Sequence, residues 1–239
     1  MNETKQTKII VGAGITLLVL GLAAFLTSGF FFASKPGTAI SDIYQAVESA
    51  DPLVTRIKGP EPLQQPIVLP TDFIRGNKNG PVTIAVFSDF SCPYCRTMAT
   101  DLNRIINEFP SARLVWRDYP QPGLHPDALG AHIAAHCAGE QNKFWEYHDA
   151  LFATEKKYER TTFLQIAQTL QLKPEQFASC LEGQYALPVI QRNLDEGDAL
   201  AIDGTPYVFV NDQRLSGAVS YEELQQTIRL HTEIANTKK

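Results

Sequence analysis

Residues 82–95 read VTIAVFSDFSCPYC, and two patterns meet inside that stretch. Positions 82–87 are a β-branched and apolar run of the kind that forms a strand buried on both faces. Just beyond it, Met98, Leu102, Ile105, Ile106 and Phe109 recur at helical spacing and stop at Pro110. Cys92-Pro93-Tyr94-Cys95 therefore falls where a strand hands over to a helix, and that placement says more than the four letters do. At a helix N-terminus, unpaired backbone N–H groups and the helix dipole stabilise a thiolate. The first cysteine then becomes both a nucleophile and a good leaving group. The second lies one turn on, near enough to close a disulfide and more protected. Pro93 suits the first helical turn, where its missing N–H costs nothing. Tyr94 adds an aromatic surface, and Arg96 adds positive potential.

Outward from this stretch, 112–119 reads as a second strand. Residues 126–200 form a helical block, with starts at Pro126, near Asn142, at Thr161, at Pro174 and near Pro188. Thr205-Pro206-Tyr207-Val208-Phe209-Val210 gives another strand, Asn211-Asp212 a turn, and 214–216 the returning strand of a hairpin. Ser220 and Glu223 make a capping box opening a last helix that carries Leu224, Ile228 and Leu230. The predicted order is strand, helix, strand, helical block, hairpin, helix, an α/β fold.

The run Phe87-Ser88-Asp89-Phe90-Ser91-Cys92-Pro93-Tyr94-Cys95, followed much later by Gly204-Thr205-Pro206, resembles the thioredoxin superfamily, and within it the DsbA-like branch with a helical insertion. The resemblance covers roughly residues 70–236. It implies a thioredoxin-like fold and a protein thiol–disulfide oxidoreductase in which Cys92 attacks and Cys95 resolves. It also implies that Pro206 is a cis-proline packed against the pair, with Thr205 offering backbone groups to an extended substrate segment. No cofactor is implied beyond the redox-active cysteines. Phe144-Trp145-Glu146-Tyr147-His148-Asp149-Ala150-Leu151-Phe152 is similar to a helix of that insertion. One departure stands out: many thioredoxin-like proteins keep a buried acid six residues before the first cysteine, where this chain has Val86. Asp89, three residues before it, is read first as a solvated turn carboxylate, with holding the loop or relaying protons as the alternative.

The N-terminal part places the chain in the cell. No charged residue occurs from position 9 to 34, and a helix rising about 1.5 Å per residue crosses a bilayer in roughly 20 residues. Lys5 and Lys8 flank this span, so residues 1–8 are predicted cytoplasmic, 9–34 a single-pass anchor, and the remainder extracytoplasmic, on the periplasmic or outer face. A cleavable signal would need a better processing site than Thr27-Ser28-Gly29, and either reading exports the body of the chain. Six prolines between 36 and 70 make residues 35–70 a linker, leaving 71–239 as the thioredoxin-like domain.

An exported domain sits in an oxidising compartment, so the remaining cysteines, Cys137 and Cys180, are candidates for a structural disulfide, with two separate buried thiols as the alternative. His132 and His136 are four apart on one predicted helix, a zinc-compatible spacing, but no further ligands converge on them, so no metal site is assigned. Trp116, Tyr119, Trp145 and Tyr207 are read as core or groove aromatics. Across 239 residues the net charge is −5 and 44% are hydrophobic, which excludes a disordered chain and gives no basis for nucleic-acid binding.

The partners expected are exported protein thiols and disulfides, and a membrane redox partner, either a quinone-linked oxidase or an electron donor. The direction of exchange is open at this level: disulfide donation comes first, a tethered reductase or isomerase second. A non-catalytic binding or chaperone module is the reading from another class.

Overall fold

The computed structural model describes residues 63–237. The anchor, the cytoplasmic segment and the linker as far as residue 62 lie outside the described residues, among which no helix is long and apolar enough to cross a membrane.

Five strands, β1 (Ile74–Gly76), β2 (Val82–Ser88), β3 (Ala112–Asp118), β4 (Tyr207–Val210) and β5 (Gln213–Ser216), form one mixed sheet in the order β1-β3-β2-β4-β5. β2 runs parallel to β3, with Val82 opposite Ala112 and Ser88 opposite Asp118. A parallel pair needs a crossover, and α1 (Pro93–Glu108) supplies it. On its other edge β2 pairs antiparallel with β4, which turns back into β5. β1 was not foreseen: it is three residues long and pairs antiparallel with β3, too short for alternation to register.

β2 is buried on both faces, as its sequence predicts. Val82, Ile84 and Val86 point into a core shared with α1 and the helical block. Ala85 and Phe87 point into a second cluster with Val115, Leu200, Ile202 and Phe209. α1 turns Met98, Leu102 and Ile105 into the first core, burial that stabilises by about 1.5–3 kcal/mol per large side chain.

Between β3 and β4 lie five helices, α2 (Ala128–Gly139), α3 (Phe144–Ala153), α4 (Arg160–Thr169), α5 (Pro174–Gly183) and α6 (Leu187–Ala199), with α7 (Tyr221–Thr237) at the end. Their starts agree with the predicted ones to within two residues. Ser220 Oγ accepts the Glu223 N–H at 3.2 Å, as the capping box requires.

Residues 63–72 cover the sheet on the side away from α1, with Leu63 and Val68 packed on the second cluster. Arg117 pins them there. Its side chain is 2% exposed and pairs with Asp72 at 2.9 Å and Glu196 at 2.6 Å, while also donating to the Ile67 carbonyl. α2 is buried along most of its length, and Ala131, Ala134, Ala135 and Ala138 let neighbouring elements approach closely.

Cys137 of α2 and Cys180 of α5 form a disulfide spanning 43 positions, in agreement with the sequence reading. The chain-entropy argument values that closure at about 4 kcal/mol. Replacing both by Ala is expected to lower the urea midpoint by an amount corresponding to about 2–4 kcal/mol. Denaturant unfolding of the double variant checks this, with Cys92 chemistry retained.

Candidate active site

The sheet delivers the reactive pair. β2 ends at Ser88, and the chain reverses through residues 89–91 before α1 begins. The Asp89 carboxylate makes this turn by accepting the Ser91 N–H at 2.8 Å, while the Asp89 carbonyl accepts the Cys92 N–H at 3.1 Å. Cys92 is the N-cap of α1, Pro93 occupies the first turn, and Tyr94 stands 64% exposed beside them. Cys92 and Cys95 are unbonded and buried.

The two sulfurs are electrostatically opposite. A hydrogen bond from the Cys95 thiol acts first on Cys92; burial opposes it. The N–H groups of Cys95 and Tyr94 and a contact with Thr205 complete the balance, bringing Cys92 down to about 5 from an ordinary thiol value of 9.0. Burial pushes the Cys95 thiol far up, and its hydrogen bond to Cys92 reinforces this. Cys95 Sγ accepts the Asp89 backbone N–H at 3.5 Å. The Thr205–Pro206 bond is cis, and the Thr205 carbonyl lies 3.5 Å from Cys92 Sγ. Cys92, Pro93, Tyr94, Cys95, Thr205 and Pro206 are thus brought together, whereas Cys137 and Cys180 belong to the helical block.

Asp89 is not the solvated carboxylate of the first sequence reading; it holds the turn from inside the protein. It is fully buried, and the 121–125 loop folds over it: the Gln121 N–H donates to Oδ2 at 3.0 Å, and His125 Nδ1 lies 2.8 Å from the same oxygen. Burial raises this acid, but the imidazoles of His132 and His125 outweigh it and hold the carboxyl at about 2.

Beneath it sits Asp118, also fully buried. Its carboxylate accepts from Trp116 Nε1 at 2.8 Å, His132 Nδ1 and His136 Nε2 at 2.7 Å each, and Asn193 Nδ2 at 2.8 Å. Burial disfavours its charge, yet the two histidines hold it well below the carboxylate range. The i, i+4 histidine spacing on α2 therefore serves a carboxylate. Asp118 carried no sequence signal, because its partners come from three separate elements. Trp116, Tyr119 and Tyr207 are buried, and Trp145 packs partly buried at the edge of the core.

A family model described as Thioredoxin matches residues 69–229. The chain belongs to the thioredoxin family. A thioredoxin-like oxidoreductase from Silicibacter pomeroyi superposes with a TM-score of 0.64 at 30% identity, over 69% of this chain and 94% of that one. BdbD from Bacillus subtilis has the same fold, with a TM-score of 0.61 at 21% identity over 68% of this chain and 94% of its own. The thiol–disulfide exchange protein α-DsbA2 from Wolbachia pipientis gives 0.62 at 21% over 67% and 87%. The Na(+)/H(+) antiporter NhaA 3 of Salinispora tropica is 31% identical over 216 residues, 90% of this chain and 32% of the antiporter. The chain spans about a third of the length of that relative. Within the family, its 30%-identical structural relative is a thioredoxin-like oxidoreductase, and the fold is shared with DsbA-type proteins.

In the reduced protein, iodoacetamide is expected to modify Cys92 and spare Cys95, with a rate that is half-maximal near pH 5 and level by about pH 7. The shift also fixes a stability profile. The folded value lies below the unfolded one, so the contribution of Cys92 is fully present above the ordinary thiol range and is lost as pH falls through about 5. Reduced protein should therefore lose stability relative to a Cys92→Ser variant between about pH 9 and pH 5, as read by denaturant unfolding at each pH.

Proposed function

We propose that this chain is a membrane-anchored, extracytoplasmic oxidoreductase that introduces disulfides into exported proteins. The observation that carries the reading is the acidified Cys92 thiol at the start of α1, brought to about 5. Stabilising a thiolate stabilises the reduced pair, which makes the disulfide form the better oxidant. The disulfide between Cys137 and Cys180 suits an oxidising compartment, and the charge-free span at 9–34 behind Lys5 and Lys8 suits an anchor with the domain outside.

Exchange proceeds in two displacements. A substrate thiolate attacks Cys92 Sγ of the oxidised pair, the Cys92–Cys95 bond breaks, and Cys95 leaves as a thiolate that takes up a proton. A second substrate thiolate then attacks the substrate sulfur of the mixed disulfide and expels Cys92, whose low proton affinity makes it the preferred leaving group. The substrate gains a disulfide and the enzyme is left with two reduced cysteines. Thr205 lies beside Cys92 and presents its backbone to an extended substrate strand. A membrane oxidase of the quinone-linked kind would restore the Cys92–Cys95 disulfide.

The test uses full-length protein in detergent. Its oxidised form should convert a reduced, unfolded secreted ribonuclease to the disulfide-bonded state with one disulfide formed per enzyme disulfide consumed, and Cys92→Ser should abolish this. Efficient insulin reduction by the reduced form, with no ribonuclease oxidation, would instead establish a tethered reductase.

A further inference from the structure

Exchange leaves a proton unassigned: Cys95 must lose one before it attacks and regain one when it leaves, yet it is 1% exposed. The two carboxylates nearest the turn do not fill this role. Asp89 is committed to Ser91, Gln121 and His125, and Asp118 to Trp116, His132, His136 and Asn193.

Behind Cys95, however, there is a cavity of about 10 Å³, room for a single water, walled by Cys95, Ser88, His148 and Trp116 together with apolar side chains that include Val86. Trp116 donates its N–H to Asp118, and Ser88 does not ionise in this range, so His148 is the one titratable neighbour that Cys95 meets across this space. Its ring is 3% exposed and sits among Phe90, Trp116, Trp145 and Phe152. Nδ1 lies 2.8 Å from Asp149 Oδ1, which assigns the Nδ1 proton to that carboxylate and leaves Nε2 as the ring's acceptor. Asp149 is 42% exposed and pairs with Arg75 at 2.7 Å, so the chain ends in solvent.

We propose that His148, acting through one water in this cavity, is the proton acceptor and donor for Cys95, with Asp149 as the positioning residue that orients its ring. In the resolving direction the Cys95 S–H proton passes through the water to His148 Nε2. The Cys95 thiolate then attacks Cys92 Sγ of a mixed disulfide; the Cys92–substrate S–S bond breaks, and the substrate leaves as a thiolate. The imidazolium, held by Asp149, returns its proton to solvent. In the disulfide-donating direction the path runs in reverse: the ring takes up a proton from solvent and passes it through the water to Cys95 as that thiolate departs. The groups facing His148 set its titration: Asp149 on its own helix, Arg75 on β1, Cys95 on α1 and His132 on α2. Burial dominates and lowers it, which keeps the ring neutral and ready to accept near neutral pH.

The proposal rests on exchange at Cys92, and the experiment separates the two. Reduced full-length protein is mixed with 5,5′-dithiobis(2-nitrobenzoate) in a stopped-flow spectrometer. A first nitrothiobenzoate leaves when Cys92 is captured, and a second when Cys95 displaces it. His148→Gln should retain the first release and slow the second by about 10²-fold near pH 7, leaving it proportional to hydroxide concentration. Asp149→Asn, at a half-exposed site, should slow the second release by about tenfold and shift its pH profile. Wild-type rates and pH profiles for the second release in both variants would overturn the proposal. If His148→Gln does not fold, an unchanged Asp149→Asn profile overturns it alone. Absence of any first release from folded wild-type protein would sink the exchange reading itself.

Discussion

The negative charge on Cys92 Sγ is the interaction around which this domain is organised. It needs donors at the start of a helix, a protonated partner one turn on, and a central strand that delivers both at its C-terminal end. α1 supplies the N–H groups, Cys95 supplies the thiol donor, and β2, locked between β3 and β4, supplies the fixed platform. The same hydrogen bond has opposite effects on its two ends. It draws the Cys92 thiol down and drives the buried Cys95 thiol up, so one sulfur is ready to react and the other is held in reserve.

Holding that turn in place puts charge inside the protein. Asp89 and Asp118 are both fully buried, which would be strongly unfavourable for unpaired carboxylates. Each is surrounded by donors, and His132 links them: its Nδ1 bonds Asp118 at 2.7 Å, and its Nε2 faces Asp89 at 3.9 Å. The helical block is thereby tied to the active-site turn by charge as well as by packing. Removing either carboxylate's partners would strand a buried charge, whereas replacing surface pairs such as Arg160–Glu182 would cost little.

Much of this was legible in the chain. β2, α1, the β4–β5 hairpin and the five inserted helices announce themselves by periodicity and breakers, and the disulfide follows from compartment logic. β1 escaped because Ile-Arg-Gly is too short to alternate. Asp89 was misread because its burial comes from the 121–125 loop, more than 30 positions away, and no local pattern encodes that fold-over. His148 lay in view within the Phe144 to Phe152 motif, but its neighbour across the cavity is Cys95, a contact that only the packing of α3 beside α1 creates. Elements thus follow from local sequence, while buried charges follow from which elements meet.

The central claim is that thiolate stabilisation at Cys92 makes the pair an oxidant, and its most direct test is the reduction potential. Full-length protein is equilibrated with glutathione buffers, with a Cys137→Ala/Cys180→Ala variant isolating the Cys92–Cys95 couple. A potential near or above about −150 mV is the predicted result, towards the strongly oxidising end of the superfamily. A value near about −250 mV, close to thioredoxin's poise, would contradict the account and make the domain a reductase.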